Sequence, residues 1–212
     1  MKLLRLKISM PISRRRVDQY KIELRNPCRQ GKKLLVLDID YTLFDHRYLL
    51  QLMRPFLHDF LTAAYAEYDI GLQPGISSLV PAITNLGVLS NPNYKITALL
   101  DYLAMITVQF DSRGIFDCKP LCLIWTQFPE FYSSKNTIMF DDLRRNFAMN
   151  PQNGLIIKPF KKAHSSRDSD HELLKLTTYL LAIAELDDLS NLDHNNWQSL
   201  SEDNVKGRRR HQ

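Results

Sequence analysis

The feature that most constrains this chain of 212 residues is a short apolar run that ends in acid. Leu34-Leu35-Val36-Leu37 follows a polar lead-in closed by Lys33 and runs directly into Asp38-Ile39-Asp40-Tyr41-Thr42. Four continuous apolar residues bounded in this way are the pattern of a strand in a parallel sheet, covered on both faces. A carboxylate at the end of such a strand sits where open α/β sheets keep their ligand sites. The pattern recurs at Asn136-Thr137-Ile138-Met139-Phe140, followed at once by Asp141-Asp142. Asp38 and Asp141 are therefore both expected just past a strand.

Between these strands the periodicity changes. Residues 53–65 carry Met53, Phe56, Leu57, Phe60 and Leu61 at helical spacing. Tyr68-Asp69-Ile70 predicts a second strand, cut short by Gly71, Pro74 and Gly75. Residues 94–100 and 105–110 read as β segments that pair as an inserted hairpin, and Leu155-Ile156-Ile157 as a last short strand. Asp170 can cap a helix beginning at His171, with Leu173, Leu176, Leu180, Ile183 and Ala184 on its apolar face. Strands alternating with helices predict an α/β layered fold, a parallel sheet flanked by helices.

The net charge of +5 is unevenly placed. Residues 1–33 hold eleven Lys and Arg against Asp18 and Glu23, whereas the rest of the chain is acidic by four charges. Residues 1–30 accordingly read as a basic arm, 31–190 as the folded domain, and 191–212 as a polar, basic tail. Arg14-Arg15-Arg16 and Arg208-Arg209-Arg210 fit either nuclear-import signals or solvated linkers. With no aromatic interleaving, nucleic acid is not expected as a partner. The longest apolar stretch, residues 179–184, is far short of the roughly 18 needed to span a membrane. Arg5 and Lys7 interrupt the N-terminal apolar residues that a secretory signal would need. Cys28, Cys118 and Cys122 have neither Cys-x-x-Cys nor zinc spacing, which fits structural thiols in a reducing compartment.

Lys119 completes a chemical set. It stands in Asp117-Cys118-Lys119-Pro120, where the proline keeps it out of helical geometry. Taken singly, Asp38-Ile39-Asp40 reads as a turn, Asp141-Asp142 as a helix cap and Lys119 as a surface lysine. Together at strand ends they suit phosphoryl transfer, which needs positioning and neutralisation of an already negative group. Paired carboxylates with a third from another strand suit a hard ion such as Mg²⁺. Asp38 would attack phosphorus, and Asp40 would protonate the leaving oxygen and later activate water.

The segment 31–47, Gly-Lys-Lys-Leu-Leu-Val-Leu-Asp-Ile-Asp-Tyr-Thr-Leu-Phe-Asp-His-Arg, resembles the haloacid-dehalogenase-type phosphatases of the polymerase-tail branch. Within that branch it is most similar to the members that carry a ubiquitin-like domain and act on nuclear proteasomes. The likeness resumes at Leu52-Met53-Arg54-Pro55, 93–97, 117–125 and 136–160, and ends near Trp197. It implies a Rossmann-like sheet with a small hairpin insertion, and a Mg²⁺-dependent phosphoserine/phosphothreonine phosphatase working in the nucleus, with the cytoplasm as the alternative. Asp38 would be the nucleophile, Asp40 the acid and base, Thr42 the residue orienting Asp40, and Lys119 the phosphate-side lysine. The ion would be held by Asp38, the Asp40 carbonyl and Asp142, with Asp141 in support. The expected partner is a phosphoprotein, with no membrane and a monomeric state. Residues 1–30 are too few for a ubiquitin-like domain, which weakens the implied link to the proteasome. The family's hydroxyl residue after the second strand is missing from Ile70-Gly71-Leu72-Gln73-Pro74-Gly75-Ile76. Ser77 or Ser78 would replace it or cap the next helix. An inactive phosphoprotein-binding module is therefore the alternative reading.

Overall fold

The computed structural model describes residues 19–45, 53–73, 80–110 and 114–198. Its centre is β1 (Lys33–Asp38), paired in parallel on one side with β2 (Tyr68–Gln73) and on the other with β6 (Thr137–Asp141). Adding β3 (Ile96–Leu99) and β7 (Gly154–Ile156) gives a five-stranded parallel sheet in the order β3-β2-β1-β6-β7. β4 (Ile106–Phe110) and β5 (Gly114–Cys118) form a separate antiparallel ribbon. This is the layered α/β architecture the alternation predicts.

The apolar run of β1 splits by the period of two. Leu35 and Leu37 join Ile70, Leu72, Ile138 and Phe140 on one face of the sheet. That face is covered by α1 (Leu57–Tyr65) through Leu57, Phe60 and Leu61, and by α5 (Glu172–Ala184) through Leu173, Leu176 and Leu180. Leu34 and Val36 join Met139 on the other face, under Leu123 and Ile124 of α3 (Cys122–Gln127). Each face withdraws a full layer of branched side chains from water, about 1.5–3 kcal/mol for each large residue. Two further short helices are α2 (Val80–Asn85) and α4 (Ala163–Ser166). None of the described helices is long and apolar enough to cross a membrane.

Four sequence expectations need correction. β2 does not stop at Ile70 but runs through Gly71 to Gln73, every residue buried. Ladders on both sides hold Gly71 against its conformational entropy, which costs only about 1 kcal/mol. The 94–100 segment is not half of a hairpin: it contributes β3 to the main sheet, and the true partner of β4 is β5. The helix expected from Met53 starts at Leu57, because Phe56 has a left-handed backbone (φ 63°) and Met53 bridges Phe44. The last helix starts at Glu172 rather than His171, although the Asp170 carboxylate does accept from the Glu172 N–H at 3.1 Å.

Both ends of the central segment extend further than the charge pattern indicated. Residues 20–29 lie on the domain: Ile22 is buried, the Arg25 N–H donates to the Thr97 carbonyl, and Arg29 pairs with buried Asp69 at 2.6 Å. At the other end His194 and Trp197 are buried beside Tyr179. These contacts are long-range, so local composition carries no trace of them. Ser77 and Ser78 lie outside the described residues, as do both arginine triplets.

Candidate active site

β1 and β6 are neighbours and end level with each other, so their last residues, Asp38 and Asp141, project from the same edge of the sheet. Asp142 is the next residue on from β6. Ligand oxygens of Asp38, Asp141 and Asp142 all lie within 4.8 Å of one another. Lys119, just past β5, enters this group from the ribbon. Its buried ammonium donates to Asp38 Oδ1, to Asp141 Oδ2 at 2.9 Å and to the Gln73 carbonyl at 3.1 Å. Gln73 is the last residue of β2 and sits level with Asp38. Three adjacent parallel strands and the ribbon thus meet at one point.

Asp141 is fully buried and its oxygens are already occupied. Besides Lys119, it accepts from the Leu143 N–H and, on both oxygens, from Asn146 Nδ2, each at 2.8 Å. Asn146 also receives the Lys119 N–H on its backbone carbonyl at 3.1 Å. It clamps lysine and carboxylate together. Sequence reasoning missed it, since an asparagine five residues beyond Asp141 has no periodic relation to the strand.

Thr42 reaches back to the end of β1. Its hydroxyl donates to Asp38 Oδ2 at 2.8 Å, so it orients Asp38. The turn after β1 is tight enough to bring position 42 back over position 38: the Leu43 and Phe44 N–H groups both donate to the Ile39 carbonyl. Asp40 is half-buried and lines the cleft above Asp38. Its carboxylate is outside the three-carboxylate group.

The electrostatics follow from burial. Desolvation pushes the Asp38 carboxyl up to about 7, with the Asp141 charge adding to it and Lys119 and Thr42 opposing. Burial lowers the Lys119 ammonium, but Asp38 and Asp141 more than reverse this, so it stays charged above the usual lysine range. Asp142 is raised by burial and by Asp141, against the pull of Lys161 and Lys119. The directions agree: three carboxylates around one ammonium hold an excess of negative charge, which a proton or a cation relieves. Close hard oxygens with surplus charge fit a small divalent ion such as Mg²⁺. Among the described residues, Asp38, Asp141 and Asp142 are the carboxylates grouped closely enough to hold it.

Above the carboxylates opens a cleft of about 650 Å³. Ile115 and Phe116 of the ribbon form one wall, and the exposed Arg145 and Lys161 are among the others.

Residues 33–190 match the family described as NLI interacting factor-like phosphatase. The chain belongs to this family. It is also 72% identical, over 202 residues, to the "Ubiquitin-like domain-containing CTD phosphatase" of Arabidopsis thaliana. Over 190 residues it is 58% identical to "Ubiquitin-like domain-containing CTD phosphatase 1" of Homo sapiens and of Bos taurus. These alignments cover 92% and 87% of this chain, but only 59% and 60% of the respective relatives. The chain therefore spans about three fifths of the length of the curated relatives it matches. The parallel sheet with its small antiparallel ribbon is the α/β arrangement of this haloacid-dehalogenase-type phosphatase family.

Proposed function

We propose that the protein is a Mg²⁺-dependent protein serine/threonine phosphatase that works through an aspartyl-phosphate on Asp38. The observation that carries this reading is the Asp38 carboxylate, buried at the edge of the sheet with Lys119 and Asp142 beside it and an open cleft above. Asp38 attacks phosphorus while the serine or threonine oxygen departs with a proton from Asp40. Water then attacks the phosphorus of the acyl phosphate, with Asp40 taking its proton, and Asp38 is restored as phosphate leaves. Thr42 keeps the Asp38 carboxylate in one rotation for both steps. The ammonium of Lys119 offsets the charge that grows around the nucleophile. Asp38, Asp142 and the Asp40 carbonyl would hold Mg²⁺, which would supply positive charge for the phosphoryl oxygens. Arg145 and Lys161 add positive charge to the cleft that receives a phosphoprotein.

The protein reads as a monomer acting on phosphoproteins in the nucleus, with the cytoplasm as the alternative. The relatives' names direct attention to CTD substrates. A proteasome substrate rests on resemblance alone. Purified protein should hydrolyse para-nitrophenyl phosphate and a phosphoserine peptide when Mg²⁺ is supplied, and Asp38→Asn should abolish both. Turnover no higher than that of the variant would reject the reading.

One observation favours a second reading. β2 delivers Gln73, not a hydroxyl residue, beside Asp38, and the Gln73 carbonyl is taken by Lys119. The loss of a charge-assisted hydrogen bond to the phosphoryl group would cost about 1.5–3 kcal/mol, roughly ten- to hundredfold in rate. A binding module would hold phosphopeptide in a Mg²⁺-dependent way and release no phosphate.

A further inference from the structure

We propose that Arg54, locked by Asp170, is a positioning residue that sets the Asp38 carboxylate through the turn at residues 39–44; the inference rests on the phosphatase reading. Arg54 is completely buried, although arginine is rarely found there. Its Nε and Nη2 form a fork on Asp170 Oδ1 and Oδ2, each at 3.0 Å, and its Nη1 donates to the Thr42 carbonyl at 3.0 Å. Asp170 is anchored in turn by the first N–H of α5. The helix that covers the sheet is thereby tied to the residue whose hydroxyl rests on Asp38.

The turn needs such a tie. Tyr41 has a left-handed backbone (φ 57°), which a non-glycine side chain disfavours. Inside the turn the Tyr41, Thr42, Leu43 and Phe44 N–H groups are satisfied by the Phe44 and Ile39 carbonyls. The carbonyls of Tyr41, Thr42 and Leu43 are instead capped from outside: Tyr41 by the Phe160 N–H at 2.6 Å, Leu43 by the Arg54 N–H at 2.8 Å, and Thr42 by the Arg54 side chain. Arg54 therefore supplies two of these three carbonyl contacts on a strained segment. A planar fork fixes that geometry in a way a lysine cannot. If the restraint is loosened, the Thr42 hydroxyl no longer holds one rotation of Asp38, and small displacements of a nucleophile are costly in rate.

The test is a double-mutant cycle on kcat between Arg54→Lys and Thr42→Val, together with backbone hydrogen exchange of the full chain. Each single variant is expected to lose about ten- to a hundredfold in kcat with KM changed less than about threefold. The double variant should lose little more than the worse single one, because both remove the same restraint. Amides of residues 41–44 should exchange faster in Arg54→Lys while those of β1 and β6 stay protected. Asp170→Asn, at the rim of the same pair, provides a second probe should Arg54→Lys fold poorly, and it should reproduce the local exchange pattern. Additive losses in kcat, or faster exchange spread evenly over the domain, would reduce Arg54 to a packing role and overturn the inference. Absence of turnover in the wild type would sink the phosphatase reading instead, and the exchange pattern would still decide the brace.

Discussion

Lys119 Nζ and Asp141 Oδ2 lie 2.9 Å apart, at the ends of two different β layers, with both side chains at most 1% exposed. A buried ion pair stabilises only if its remaining polar atoms are satisfied. Here Asn146, the Leu143 N–H, Asp38 and the Gln73 carbonyl satisfy them. The pair thus welds the ribbon to the sheet and aims the ammonium at Asp38.

Replacing Lys119 by Met removes the ammonium that Asp38 and Asp141 share and leaves the two carboxylates facing each other. Turnover should fall by about 10²–10³-fold, the scale for losing one preorganised charge donor. Stability without added ion should drop by about 3–5 kcal/mol, as when a buried pair loses one partner. Mg²⁺ should restore part of the stability and none of the turnover. Steady-state rates and urea melts with and without Mg²⁺ read the two effects separately.

Binding of Mg²⁺ should release a proton near neutral pH. Burial pushes the ion-free Asp38 carboxyl up to about 7, so below that pH it is mainly protonated and must lose the proton to hold a cation. Apparent affinity should therefore rise with pH and level off above about pH 8, with close to one proton released per ion near pH 6. Calorimetric titration in buffers of different ionisation enthalpy counts those protons. Release that is the same at both ends of the range would contradict the assignment of Asp38 as a ligand.

Gly154 opens β7, where an added Cβ would lie 2.2 Å from the Phe147 ring. Phe147 follows Asn146, the clamp on Asp141, so the ring cannot move without disturbing the site. Gly154→Ala should destabilise by about 1–3 kcal/mol, the cost of overpacking, and also lower turnover. Shortening the ring with Phe147→Leu in the same chain should recover part of both. Chemical denaturation and activity of the single and double variants check this.

His194 is buried, with Nδ1 on the Tyr179 hydroxyl at 2.7 Å, and burial lowers its pKa to about 4. The unfolded chain takes up a proton near pH 6.5, whereas the folded one resists until about pH 4. Stability contributed by the neutral ring is thus present above pH 6.5 and is lost as pH falls from there to about 4, by up to about 3 kcal/mol. His194→Gln should flatten that part of the stability–pH curve. An unchanged slope would show that other groups govern it.

Where the candidate site's carboxylates stand was legible in the chain because these acids are tied to local signals. A buried-type strand running straight into Asp38, and another into Asp141-Asp142, announces where the carboxylates stand, whatever lies between. Lys119 was legible only through its company, since nothing local separates it from a surface lysine. Asn146, Arg54 and Asp170 were not visible as site residues. Each acts by a hydrogen bond to a backbone or side-chain atom placed by another element, and a short sequence window carries no record of that.

Period and punctuation in the chain by themselves determined the layered α/β class, the central strand with its two buried faces, and the acidic strand ends. Only the tertiary structure decided that β2 continues through Gly71, that residues 94–100 join the main sheet while 114–118 pair with β4, and that Thr42 rests on Asp38. The reason is physical: which residues one face of a strand buries is set by alternation along the chain. Which strand neighbours which, and which polar group fills which lone pair, is settled by contacts between distant segments once they close on a common core.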